Sequence, residues 1–282
     1  MRILLLCLLC LVIPHAAAAE NTPNPPDVHI VFPKTMKHTS SGRVDRVIDA
    51  GTLLLSDGKI VRLTGFDYPF IHGKQDGGAV VAAKLFLEDL LPKGTELQLY
   101  QTRDQKIPRI DRMGHSIAHI VRKKDGTWIN GMLVRKGMAW AAPDAAAPDM
   151  APALYTQEIL ARKEESGLWG KDSAFPLLTP DNAGEGEGAF RVVEGVVNRA
   201  ATSRNNLYLN FGEDWKKDFT VMITPAQRRQ MARSGIDPMA LGGQRVRVRG
   251  WIRAWNGPFM ELETPVWLEI EQPPALPLAA SP

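Results

Sequence analysis

The chain has 282 residues, 44% of them apolar and 23% charged, which is the composition of a globular protein and excludes a wholly disordered or collagen-like one. Its 34 basic and 31 acidic residues leave a formal net charge of +3, too small for a protein that holds nucleic acid by overall charge, so any basic face must be local. The length is generous for one small barrel and comfortable for two domains.

Residues 1–19 read as an export signal. Arg2 supplies the positive start, residues 3–13 the apolar centre, and Ala17-Ala18-Ala19 a small-residue cleavage site before Glu20. The apolar run is shorter than the about 20 residues a membrane-spanning helix needs. The expectation is therefore a periplasmic or secreted protein with no membrane segment after signal cleavage. Cys7 and Cys10 both fall inside the signal, so the mature chain would hold neither a disulfide nor a cysteine metal site. Loss of Arg2 leaves 33 basic against 31 acidic residues, a net charge of +2.

Residues 20–40 are Pro-rich at their start and read as an extended lead-in. Residues 42–63 alternate apolar and polar positions around a turn at Ser56-Asp57-Gly58-Lys59, which predicts two or three strands. Residues 79–91 carry helical periodicity and stop at Pro92. Residues 95–102 and 115–122 predict strands, and 130–140 and 153–169 predict helices. His115 and His119 fall at even spacing and would share a face.

Residues 173–188 are rich in Pro, Gly and acid, with no apolar period, and read as a linker. Strands are predicted at 190–197, 206–211 and 218–223, and a helix at 225–233 with Pro225 in its first turn. Further strands fall at 245–255, 259–262 and 266–270. Strands on both sides of one helix suggest an OB-like barrel over residues 189–271. Residues 272–282 form a Pro/Ala tail expected to be disordered. The fold class expected is mainly β with α, an α+β protein of two barrels.

In Arg245-Val246-Arg247-Val248-Arg249 the period of two puts the arginines on one face and the valines in the core. Arginines beside aromatics are what single-stranded nucleic-acid-binding OB folds use. Arg204, Trp215, Arg245, Arg247 and Arg249 are the candidate nucleic-acid-binding residues on that basis. The competing expectation is a strand face neutralised by Glu261, Glu263, Glu269 and Glu271.

Residues 41–172 carry the most specific pattern. Asp49-Ala50-Gly51-Thr52 is followed by Arg62-Leu63 and Asp67-Tyr68-Pro69-Phe70. Later come Asp111-Arg112-Met113-Gly114-His115, then Asn130 with Leu133-Val134-Arg135-Lys136-Gly137-Met138-Ala139, then Gly167-Leu168-Trp169. In order and spacing this stretch resembles the staphylococcal nuclease (thermonuclease) family, whose motifs are Asp-Gly-Asp-Thr, Arg-Leu and Asp-x-Pro-Glu. The resemblance implies a five-stranded OB-type barrel with packed helices. It also implies phosphodiester hydrolysis with Ca2+ held by two aspartates and a backbone carbonyl, a glutamate as general base, and two arginines on the developing charge.

Carried over position by position, Asp67 stands at one metal position and Tyr68 at the carbonyl. Gly51 stands at the second metal position, Phe70 at the general base, Arg62 at the first arginine and His115 at the second. Glycine has no ligand, phenylalanine takes no proton, and histidine lacks the arginine fork. Loss of a general base typically costs about 10²–10⁴-fold in rate. The expectation is a nuclease homologue with impaired phosphodiesterase activity and weak or absent Ca2+ binding. It would bind single-stranded nucleic acid or another anionic ligand through Arg62, His115 and the second barrel. Two other readings stay open. One is an active endonuclease with His72 or Asp76 as a rearranged base. The other is a scaffold in which neither barrel meets nucleic acid and the partner is a protein.

Overall fold

The computed structural model describes residues 28–71, 74–75, 77–214 and 216–271. The export signal and the C-terminal tail lie outside the described residues.

The first barrel opens with a meander, β1 (Met36–Asp49), β2 (Thr52–Leu55) and β3 (Ile60–Leu63). Alternation sets its faces: Leu53, Leu55, Val61 and Leu63 go inward, while Arg62 between two of them points out. Three short strands follow, β4 (Phe66–Asp67), β5 (Phe70–Ile71) and β6 (Lys74–Gln75), then α1 (Gly77–Leu90), β7 (Glu96–Thr102) and β8 (Ser116–Arg122). Strand β8 runs parallel to β3 and antiparallel to β7, which pairs with β1 and closes the barrel in the order β1-β2-β3-β8-β7.

Helix α2 (Ile129–Arg135), β9 (Trp140–Ala141) and α3 (Ala151–Lys163) pack on that barrel. Asn130 at the start of α2 explains its place. Its side chain accepts from Ile120 N and donates to Thr64 O and Ala118 O, satisfying buried backbone groups of β8 and the β3 exit. The helix expected to reach residue 140 stops at Arg135, because the chain turns at Gly137 with φ +62°. A Cβ there would lie 1.9 Å from Ser166 O, so only glycine fits. The helix expected to reach 169 likewise stops at Lys163, and a 3-10 turn at Gly167–Trp169 packs against Gly137.

The second unit, called the second barrel below for its strand order, is a seven-stranded sheet of β10 (Phe190–Val196), β11 (Arg199–Ser203), β12 (Asn206–Asn210), β13 (Thr220–Ile223), β14 (Arg245–Ala254), β15 (Pro258–Glu261) and β16 (Leu268–Ile270), with α4 (Pro225–Arg233) after β13. Strand β11 was not anticipated, since Arg199-Ala200-Ala201-Thr202-Ser203 has no large apolar residue. The strands lie in the order β10-β14-β15-β13-β12-β11, with β13 and β15 parallel. Taking β10 and β11 as two halves of one bent strand, this is the strand order of the first barrel. Helix α4 is capped by Thr224 and Gln227 in a reciprocal box.

The segment expected to be a free linker is packed. Residues Pro180–Gly186 form a 3-10 helix, Leu178 and Ala183 are buried, and Leu178 and Glu187 bridge to Val193 and Ile252. Its anchors are single apolar residues without a period, which is why the composition reads as linker. The two barrels meet along an apolar seam of Trp140, Leu168, Phe175, Phe190 and Val192, with Trp251 and Trp267 against it. Phe190 sits edge-on to Trp267 at 5.3 Å, a favourable aromatic geometry.

Candidate functional site

A cleft of about 570 Å³ opens where the β1–β2 turn, the end of β3, β4 and the loop after β9 come together. Its walls include Asp49, Gly51, Thr52, Arg62, Asp67 and Asp144 from the first barrel. Glu263, Thr264 and Trp267 of the second barrel complete it. Local bonds hold the walls. Tyr68 donates its hydroxyl proton to Ala50 O at 2.6 Å and so ties β4 to the turn. Asp49 Oδ1 accepts from Gly51 N at 2.8 Å. Asp144 accepts from Thr64 Oγ1 and Ala146 N. Trp267 Nε1 donates to Pro143 O at 3.0 Å and fixes the second barrel's edge over the cleft.

Asp67 accepts from Tyr68 N at 2.8 Å. Burial pushes its carboxyl up to about 6, helped by the charge of Glu263 and opposed by that N–H and by Arg62. Arg62 reaches out to Asp111, Nη1 to Oδ2 3.7 Å, and its side chain is 57% exposed. His115 Nδ1 lies 3.3 Å from the same Asp111 oxygen. The N–H of His115, together with that of Met113, holds the Asp111 carboxyl below its ordinary value. Asp111 therefore brings the two residues at the family's arginine positions together. This role for Asp111 was not foreseen, although it lies four residues before His115. His119 does not join His115: it is buried, accepts from Trp128 Nε1 at 3.3 Å, and burial lowers its pKa to about 3.

The residues at the calcium positions do not fit a calcium ion. Gly51 offers no side chain, and among the described residues no group of three or more His, Cys, Asp or Glu side chains converges to hold a metal. A hard cation asks for roughly six to eight oxygen ligands. Gly51 is open, however: a Cβ there would meet nothing closer than 3.9 Å, so glycine is not a packing requirement. Phe70 stands in β5, which pairs with β6 in a two-stranded hairpin. His72 and Asp76, the alternative bases, and Trp215 lie outside the described residues.

The arginines of β14 are placed otherwise than a nucleic-acid face requires. Arg249 is 0% exposed. It pairs with Glu158 of α3 at 3.0 Å through both Nη atoms, donates to Ala141 O and Glu269, and lies over the Tyr155 ring at 4.4 Å. Arg247 is buried between Glu194, Glu269 and Glu271. Arg245 is half-exposed, 3.7 Å from Glu194. The face is neutralised, as the competing expectation held, by Glu269 and Glu271, and Glu261 pairs with Arg253 further along the strand at 2.9 Å; Glu194 and Glu158 join them, while Glu263 forms no ion pair among the described residues. No periodicity in α3 marks Glu158 as the partner of a strand in the other barrel.

Arg204 does reach a surface pocket of about 560 Å³ on the second barrel, beside Arg199, Tyr208, Asn210, Trp255 and Phe259. Arg204 and Asn205 have φ of +46° and +68°, the left-handed pair of a tight hairpin turn between β11 and β12. Trp255, on the β14–β15 turn, is 56% exposed, with its ring 4.7 Å from Phe259. Neither Arg199 nor Arg204 pairs with a carboxylate among the described residues.

No curated relative matches the chain. Residues 61–171 match the family model of staphylococcal nuclease homologues. The matched stretch starts on β3 and runs through the barrel closure, α2 and α3, so it leaves the Asp49–Thr52 turn outside it. Barrel order and match agree over this stretch: residues 61–171 are similar to a staphylococcal nuclease homologue domain.

Proposed function

We propose that this is an exported nuclease-fold binding protein, in which the family's calcium-dependent hydrolysis is impaired and the second barrel binds single-stranded nucleic acid or a similar polyanion. The observation that carries the binding reading is the pocket around Arg199, Arg204, Tyr208 and Trp255. Unpaired guanidinium groups suit phosphates, and an exposed indole beside a tyrosine suits stacked bases. In OB folds the loops that flank this face are the usual ligand contacts. The nuclease cleft supports the anion reading less well. Asp49, Asp67, Asp144 and Glu263 line it against Arg62 alone, and each would repel a phosphodiester.

Cleavage and binding separate the possibilities. The purified protein would be incubated with single- and double-stranded DNA and RNA in calcium, magnesium, manganese or EDTA. The expected result is no EDTA-sensitive cleavage, together with salt-dependent binding of single strands. Trp255→Ala and Arg204→Ala should each weaken that binding about fivefold or more, since base stacking is worth about 1–3 kcal/mol, and Arg204→Ala should also flatten the salt slope. Metal-dependent cleavage lost in Arg62→Ala would overturn the impaired-enzyme reading and direct the search for a base to His72 and Asp76. Binding that ignores salt and both substitutions would overturn the nucleic-acid reading.

A further inference from the structure

The sheet face that carries Arg199 is built across four strands. In register, Arg199 of β11 stands opposite Asn210 of β12, Asn210 opposite Thr220 of β13, and Thr220 opposite Phe259 of β15. Residues paired across strands point to one face, so these four side chains form a row. Tyr208, two residues before Asn210, shares that face, while Leu207, Leu209, Val221 and Met260 fill the core behind it. This row and the adjoining turns wall the pocket of about 560 Å³, whose lining holds two arginines and no carboxylate.

Asn210 lies on the floor of that pocket and is 7% exposed. Its Oδ1 accepts from Thr220 Oγ1 at 3.3 Å, a hydroxyl that also reaches Asp218 O at 3.3 Å. Its Nδ2 donates to no group among the described residues, and it is not one of the unpaired atoms sealed inside the protein. The amide N–H is therefore a donor without a partner that faces the pocket. Such an unmade bond costs free energy that a ligand oxygen recovers. An asparagine with both ends free reads adenine through two bonds, to N6 and N7. Here Thr220 takes the oxygen and only the donor is left. A donor asks for a carbonyl. Thymine and uracil carry one on each side of the Watson–Crick edge, and so meet Asn210 either way round. Cytosine carries one and adenine none. The pocket volume lies in the range of small-molecule sites, with room for a base.

We propose that this pocket seats a single base of a bound strand and selects a keto pyrimidine, thymine or uracil. Asn210 Nδ2 donates to a base carbonyl, Trp255 and Tyr208 flank the ring, and Arg199 and Arg204 take the neighbouring phosphates. The proposal rests on the single-strand reading above and adds to it a choice of base.

The test measures binding of the intact protein to fluorescent strands that are abasic except at one position, which carries thymine, cytosine or adenine. One base at a time removes the base-on-base stacking that biases runs of adenine. The thymine strand is expected to bind about fivefold more tightly than the adenine strand, the worth of one hydrogen bond to a buried donor. Asn210→Ala should bring the two within about twofold of each other. Asn210→Asp keeps an oxygen for Thr220 and offers the pocket no donor, so it should lose the thymine preference as well, and it serves should Asn210→Ala not fold. Arg204→Ala should weaken all three strands alike, because a phosphate contact carries no base information. Equal binding of the three strands by the native protein, a preference for adenine, or a thymine preference that survives both Asn210 substitutions would overturn the base assignment and leave the single-strand reading standing. Absent or salt-indifferent binding of every strand would overturn that reading and this proposal with it.

Discussion

At Asp67 burial and the nearby charge of Glu263 raise the carboxyl from 3.8 to about 6, against the pull of Tyr68 N–H and Arg62. An acid whose folded pKa lies above its unfolded value favours the fold below that unfolded value, and the benefit is lost as pH rises through the folded one. Asp67 therefore weighs against the fold at neutral pH. Asp67→Asn, which keeps an oxygen for the Tyr68 N–H, should raise the unfolding free energy by about 1–3 kcal/mol at pH 8 and change it little near pH 3.5. Urea unfolding at both pH values measures this, and a destabilised variant at pH 8 would refute it. His119 has the opposite sign. Burial lowers it from 6.5 to about 3, so its contribution is present above 6.5 and is lost as pH falls toward 3. The loss is at most about 1.4 kcal/mol per pH unit. His119→Gln should flatten that part of the acid limb, and an unchanged slope between pH 6 and 4 would show that other groups carry it.

Among the elements, strand β14 shows what the sequence could and could not announce. The period of two in its arginines and valines predicted the faces correctly, because side-chain direction along a strand is a local property. The partners of Arg247 and Arg249 come from β10, β16 and α3, and no local rule names them. Both faces of β14 end up buried, which turns an apparently cationic surface into an ion-pair network. Helix ends failed for a related reason. Gly137 was visible as a glycine, yet what forbids a longer helix is the backbone of Ser166 crossing it, a contact between residues distant in sequence. The nuclease frame was readable because Thr52 and Arg62 sit opposite each other on the paired strands β2 and β3, and Pro69 follows at fixed spacing just after β4. The cleft's far wall was not, because Glu263 and Thr264 arrive from the other barrel. The ion pairs on β14 take Arg247 and Arg249 out of the proposed nucleic-acid face, which rests instead on the β11–β12 and β14–β15 turns.

For the molecule as a whole, the two barrels behave as one body only if their seam is strong. Its apolar part is Trp140, Phe175 and Phe190. Its polar part is the Arg249–Glu158 pair, joined by Arg162 to Glu194 at 3.2 Å. Replacing a well-made buried pair by apolar side chains is often neutral, whereas removing one partner strands a buried charge. Glu158 is 2% exposed, and its remaining bond is from Ala141 N. Arg249→Met should therefore cost about 3–5 kcal/mol. Adding Glu158→Gln should recover part of that, since the amide oxygen can still take the Ala141 N–H. The loss falls on the seam, so calorimetry should show the native protein melting in one transition and Arg249→Met in two, with the inter-barrel cleft opening at the lower one. A single transition at the native midpoint in Arg249→Met would mean that the apolar seam suffices and that Arg249 serves only to neutralise Glu158.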